Sequence, residues 1–414
     1  MDETPIYTTE YTADVCIVGG GPAGMMLAYL LARQGIAVTL LEGQRDFNRK
    51  FRGDTLHMNI IENFDQLGLL DKAKALPHTV IQQMVTVANG QRSVTGDLSK
   101  LKNKPHPYMM MVAQPLVLQL LADEAAQFDR FNLLMGASAQ ELIMDGEVVT
   151  GLRFRQKGEM CEIRTKLVIG CDGRSSKLRR LAEFELTPTA EPMEALWISI
   201  PKSADEQKMV GGAFGVEEGF ITHERVDEWH IALPLPKGGY DTYKKQGLDR
   251  FKALLQQAKP HMAERIETHV QSWRDVAVLK VQGGRIRRWY KNGLLLIGDA
   301  AHVMTPIMGV GINYAMQDAI ATANIIGPVL ASGKTVGLDQ LAKVQQRRQR
   351  PVAIMQFIQA RVQSALGIPD LDEAGNITNL GGMANSPIQK VPFLGQLGLR
   401  MIATGFRPEA VQLN

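Results

Sequence analysis

The sequence predicts a discontinuous α/β protein: a three-layer βαβ domain interleaved with a second, mixed β-sheet domain and followed by a C-terminal helical region. Three observations predict it. A β-rich apolar run at 13–18 breaks into Gly19-Gly20-Gly21-Pro22, and a helical register and a second apolar run at 36–41 follow. The middle third then changes to short strand-like runs separated by Gly, Pro and charged turns. A buried-strand signature returns at 293–297 and leads into a long Ala-rich helix at 311–330.

Each element has its local cause. Ala, Met, Leu and Tyr fill the helical register at 23–34, Gly35 stops it, and the strand at 36–41 closes on Glu42, which completes a βαβ unit. Apolar residues at three- and four-residue spacings predict helices at 59–67, stopped by Gly68, and at 116–128. Alternation around Met84, Thr86 and Ala88 with Asn89-Gly90 predicts a hairpin at 83–92, and a second one spans 142–154 around Asp145-Gly146. A buried strand at 166–171 ends in Asp172-Gly173. Strands are expected at 197–201, 213–216, 219–223, 229–233 and 276–281, with a helix at 247–255. The stretch 340–362, with Arg347, Arg348 and Arg350, reads as an exposed helix interrupted at Pro351. The first domain is thus expected to comprise 1–75, 106–182 and 282–365, the second 76–105 and 183–281, and a C-terminal extension 366–414.

Composition narrows the function. Of 414 residues, 46 are basic and 43 acidic, so the net charge of +3 carries no footprint of a nucleic-acid partner. No apolar run reaches the length of a membrane span, and residues 1–12 lack the basic and apolar regions of a signal peptide. Cys16, Cys161 and Cys171 have no metal-ligand spacing and read as buried thiols in a reducing cytoplasm, so no metal site is expected. The segment 391–406 is apolar for its position. Packing within the protein is the preferred reading, with an interface or peripheral membrane contact left open.

Gly19, Gly21 and Gly24 form G-x-G-x-x-G after a strand and at the opening of a helix, the context that gives the motif its meaning. Gly19 permits the tight turn, Gly21 lets a pyrophosphate reach the backbone, and Gly24 lets helix and sheet approach. Pro22 and Ala23 open the helix, whose free N–H groups and dipole favour the diphosphate. Glu42 at the end of the second strand can accept hydrogen bonds from ribose hydroxyls and would repel a 2′-phosphate. FAD and NAD both fit such a loop. Further along, Gly298-Asp299 ends a strand, and Pro306, Gly309, Gly311 and Asn313 lie between it and the long helix. Asp299 could hold hydroxyls of a ribityl chain, and the helix start near Gly311 could stabilise negative charge on a reduced flavin.

With these motifs in order, and the segment Gly170-Cys-Asp-Gly-Arg-Ser-Ser-Lys-Leu-Arg179 between them, the chain resembles the group A FAD monooxygenases, the flavoprotein aromatic hydroxylases related to para-hydroxybenzoate hydroxylase. The resemblance spans about residues 13–350 and implies a Rossmann-like FAD-binding domain. It implies that Gly19, Gly21, Pro22, Ala23, Gly24 and Glu42 bind the adenosine diphosphate half, and that Gly298 and Asp299 meet the ribityl chain. Arg52 and Gln114 would contact FAD, and Asp172, Gly173 and Arg179 would serve both FAD and a passing NADH or NADPH. Pro306, Gly309 and Gly311 would line the flavin ring, and Asn313 would belong to the same cofactor site.

The implied reaction is hydroxylation of an aromatic or other hydrophobic small molecule by O2 through a flavin hydroperoxide, in a monomer or homodimer. His57 is the candidate catalytic group, set against the plainer reading of a packed histidine, and His302 is read as structural. Trp197, Phe214, Phe220, Trp229 and Met308 are candidate substrate contacts, although such residues are core in most sheets. Two rivals keep the fold: a flavin-dependent reductase of isoprenoid double bonds, and a non-catalytic escort protein.

Overall fold

The computed structural model describes residues 9–48, 54–88, 91–101, 103–189, 193–207, 213–217, 220–281, 283–366, 370–371, 377–379 and 392–412. Parallel strands form the heart of the first sheet, in the spatial order Leu294–Leu296, Glu159–Gly170, Thr9–Val18, Val38–Glu42 and Phe131–Met135. Val15, Cys16, Ile17 and Val18 are all buried, as are Val38 to Glu42. Near-continuous burial is what a parallel strand covered on both faces requires, and it explains the unalternating apolar runs.

Register places the site. Val18 pairs with Gly170 and with Leu41, and Gly170 pairs with Leu296. The carboxyl ends of four strands are therefore level, so Gly19, Glu42, Cys171 and Ile297 emerge along one edge, where ligands of open α/β sheets bind. Helix Pro22–Arg33, buried from Ala23 through Ala32, packs against Gly311–Ala331 and Gln114–Ala125. The expected hairpin around Asp145-Gly146 is longer than predicted, Ala137–Asp145 with Val148–Gln156, and pairs with Glu159–Gly170.

The second sheet has seven strands in the order Ala277–Val281, Met193–Pro201, Glu228–Pro236, Phe220–Glu224, Ala213–Glu217, Gln83–Ala88 and Gln91–Asp97. It is mixed, because Ala213–Glu217 runs parallel to Gln83–Ala88 while the other pairs are antiparallel. Helices Gly239–Gln246, Leu248–Ala258 and Ala263–His269 cover it, burying Phe251, Leu255 and Ile266 against Leu196, Ile198 and Ile231. Only the middle helix has a clear apolar periodicity in the sequence.

One expectation is corrected. The stretch 340–362 is neither interrupted nor exposed throughout: a single helix, Leu338–Leu366, runs through Pro351, and Arg348, Gln356 and Gln359 on it are buried. An internal proline costs about 3 kcal/mol of helix stability. Polar anchoring on both sides of it, described below, offsets that cost. Helix Pro392–Thr404 in the apolar C-terminal segment seats Leu399 and Ala403 with Met58, Ile81, Leu98 and Met109. Cys16, Cys161 and Cys171 are free and buried. Among the described residues no helix is long and apolar enough to cross a membrane, and none form a metal-binding cluster.

Candidate active site

The glycine loop is built by steric necessity. Gly19 has φ +105°, and a Cβ there would strike the backbone of Cys171 and Asp172, while one on Gly24 would collide with the Gly19 carbonyl. Gly21 differs, because a Cβ on it would meet nothing within 4 Å. The open space lies at the start of helix Pro22–Arg33, which has no side-chain cap and no acidic residue in its first turn. Donors and dipole are thus left to an anion. Glu42 is held beside it: Gly20 N donates to Oε2 at 2.7 Å and Gln44 N to Oε1 at 2.8 Å. This fixes a carboxylate as acceptor at the edge of a cavity of about 740 Å³, which begins at Gly19, Gly21 and Glu42.

The same cavity continues past Gln114, Asp172, Gly173 and Asp299 to Pro306, Gly309 and Gly311. Asp172 is already engaged: its Oδ1 accepts from Ser176 Oγ at 2.5 Å and its Oδ2 from the N–H groups of Lys177 and Leu178. It orders the turn that carries Arg174, whose Nε lies 3.9 Å from Asp299 Oδ2. Met308 and Gly309 both have positive φ, 67° and 61°, immediately before helix Gly311–Ala331. For a methionine that backbone is costly, and it immediately precedes the cavity-lining Gly309 and the uncapped start of the helix.

Behind the loop lies an ionic network absent from the sequence reading. Asp318, fully buried, accepts from Gly298 N at 3.0 Å, from His302 Nε2 at 2.5 Å and from Arg348 Nε at 2.8 Å. Burial alone would raise the Asp318 carboxyl, but the charges and hydrogen bonds of His302 and Arg348 hold it below its ordinary value. Arg348 also donates to Glu409 at 3.3 Å. Gln359 Nε2 donates to the carbonyls of Thr305 and Ile307, each at 2.8 Å, and Gln356 Nε2 to those of Gly284 and Val303. The long helix thereby fixes the strand-to-helix loop from beneath.

Trp197, His230 and Leu279 of the second sheet line the same cavity, together with Asp54, Thr55 and Thr305. Arg225 joins the two sides, with Nε 3.1 Å from Asp54 Oδ2 and NH1 2.9 Å from Glu228 Oε1. Burial pushes the Asp54 carboxyl up despite Arg225, whereas the hydrogen bond from His230, assisted by Arg225, pulls Glu228 down to about 2.

The structure thus brings Gly19, Gly21, Pro22, Ala23, Glu42, Gln114, Asp172, Gly173, Asp299, Pro306, Gly309, Gly311 and Trp197 to one cavity. Others serve it from outside. Gly24 and Gly298 are packing positions, the latter with φ +58°. Arg179 donates to the carbonyls of Arg174 and Ala300 and so braces the loops. Asn313 accepts from His57 N and donates to Thr55 O.

His57 does not line the cavity. It is buried, its Nδ1 lies 2.9 Å from the carbonyl of Ile402, and burial lowers its pKa to about 4, which favours the packed, neutral reading. Phe220 is wholly buried in the second-sheet core, Trp229 packs on that core, and Met308 packs with Met193 and Ile307. Arg52 and the side chain of Phe214 lie outside the described residues. Sequence reasoning missed Asp54, His230 and Thr305. The Glu228-Trp-His230 alternation, which puts both titratable groups on one strand face, was the available signal for His230.

The FAD-binding domain family matches residues 12–358. The chain is 33% identical to 6-methylpretetramide 4-monooxygenase of Streptomyces rimosus over 327 residues, 77% of this chain and 75% of that protein. It is 28% identical to a rifampicin monooxygenase of Streptomyces venezuelae over 331 residues, 74% of this chain and 62% of that protein. Among solved structures, p-nitrophenol 4-monooxygenase PnpA of Pseudomonas putida DLL-E4 superposes with a TM-score of 0.74 at 16% identity, covering 98% of this chain and 100% of that one, which establishes a shared fold. The chain belongs to the FAD-binding family, among its FAD-dependent monooxygenases.

Proposed function

We propose that this protein is an aromatic hydroxylase that takes two electrons from NADH or NADPH and places one atom of O2 on the ring of a hydrophobic substrate, the other atom leaving as water. The observation that carries the reading is the continuity of the cavity, from Gly21 and Glu42 past Asp299 to the second-sheet residues Trp197, His230 and Leu279. The division into a cofactor domain and a substrate domain at 76–105 and 183–281 is part of the proposal, and it is supported by the second sheet drawing its strands from 83–97 and 193–281.

The residues present fit FAD. The side-chain-free face of Gly21 and the helix start behind it would take the diphosphate, and the pinned Glu42 carboxylate would accept the ribose hydroxyls. Asp299 would accept from the ribityl chain. Bound FAD supplies the redox chemistry and the activation of O2. Everything else falls to the protein: the positive end of helix Gly311–Ala331 biases the cavity toward negative charge, and Trp197, Leu279 and Met304 exclude water from the ring to be attacked.

The test is an absorbance spectrum with flavin identification, followed by titration with NADH and NADPH in air across a phenol panel. A yellow protein whose NAD(P)H oxidation and O2 uptake rise with a phenol is expected. Reduction of an added isoprenoid without O2 uptake, or a protein that takes up no flavin, would sink the reading.

A further inference from the structure

The charge arrangement at the second-sheet end of the cavity bears on which aromatic it accepts. Asp54 lines the cavity and is buried, while its partner Arg225 stands behind the wall. That guanidinium is matched by two carboxylates, Asp54 at 3.1 Å and Glu228 at 2.9 Å. It therefore has no uncompensated charge to offer an acid. His230, also on the wall, lies 2.7 Å from Glu228 Oε1 and meets Trp197 edge-on at 6.4 Å between centroids.

Thr305 lines the same cavity, and its Oγ1 is buried without a hydrogen-bond partner. A buried hydroxyl left unpaired in the free protein is a ready partner for a ligand's polar group. Among the described residues, the Lys and Arg side chains that line the cavity are Arg174 and Lys177, both on the Asp172 turn and occupied there near Asp299 and with Gln140.

We propose, resting on the hydroxylase reading above, that this end of the cavity selects uncharged or cationic polyhydroxylated aromatics and rejects aryl carboxylates. A substrate hydroxyl can donate to Asp54 and exchange hydrogen bonds with Thr305. A substrate carboxylate would instead be brought beside a buried carboxylate with no free cation to meet it, and the like charges would repel.

The experiment is calorimetric titration of the FAD-loaded protein with a dihydroxyanthraquinone and with the same ring bearing a carboxylic acid. The neutral ring is expected to bind at least ~10-fold more tightly, the ratio that about 1.4 kcal/mol of repulsion produces. Asp54→Asn should reduce that ratio at least threefold, and Glu228→Gln, at a more exposed position, should reduce it in the same direction without relying on the buried site. An acid that binds the wild-type protein as tightly as the neutral ring would overturn the selection and leave the hydroxylase reading standing. An unchanged ratio in both variants would overturn the role of this cluster. Failure of both rings to bind would overturn the selection, while the hydroxylase reading falls only with the flavin and O2-uptake test above.

Discussion

Glycine and histidine illustrate opposite ends of what single residues disclose. Gly19 and Gly24 were legible because their requirement is local, a positive φ in one case and a backbone approach in the other, and G-x-G-x-x-G after a strand has few other causes. His57 and Asp54 stand three positions apart on one short segment, and nothing in the local pattern says which faces the cavity. The tertiary partner decides: Arg225 draws Asp54 to the wall, and Ile402 draws His57 away. Burial lowers the His57 pKa from 6.5 to about 4, so the unfolded chain binds a proton there before the folded protein does. Its stabilising effect is complete above pH 6.5 and is lost as pH falls toward 4, about 3 kcal/mol in all. Replacing it by Gln, which keeps a donor for Ile402, should flatten the acid side of the stability curve between those limits, as measured by urea denaturation at a series of pH values.

At the scale of elements, the strands and the first helix follow from apolar runs and their punctuation, whereas helix Leu338–Leu366 was misjudged. Its inward face carries Gln345, Arg348, Gln356 and Gln359, residues that composition assigns to water. They are buried because the loop they touch has carbonyls to satisfy, and only the fold brings that loop within reach. Gln359 alone serves two carbonyls and one N–H of the 305–307 loop. Gln359→Leu should cost roughly 1–3 kcal/mol, the penalty for leaving buried backbone groups unpaired. Differential scanning calorimetry of the flavin-free protein checks this, and an unchanged melting temperature would contradict the anchoring role.

Over the whole molecule, the C-terminal residues act as a clasp. Glu409 accepts from Arg347 and Arg348, and the Glu409 carbonyl accepts from Asn63 Nδ2. Asn324 donates to the Ala410 carbonyl, and Val411 N donates to Asn63 Oδ1. The clasp had no sequence signal, since Glu409 is an isolated acid in an unpatterned stretch. Glu409→Gln should destabilise the protein by about 3 kcal/mol, at the low end for a buried pair that loses one partner because Arg347 is partly exposed. The loss should persist at high salt in guanidine-free thermal melts, because screening barely reaches a buried pair.

The clasp also has a consequence for biosynthesis. The Asp318 carboxylate leaves the ribosome well before Glu409, by several seconds at roughly 5–20 residues per second, and the glycine loop earlier still. During that interval Arg348 lacks one of the carboxylates that neutralise it, and the loop bearing Asp299 has no finished support. The support of the Asp299 loop is therefore completed only once Glu409 has been made and folded back. A nascent protein stalled short of residue 409 would present chaperones and proteases with a nucleotide fold whose centre holds an incompletely compensated charge.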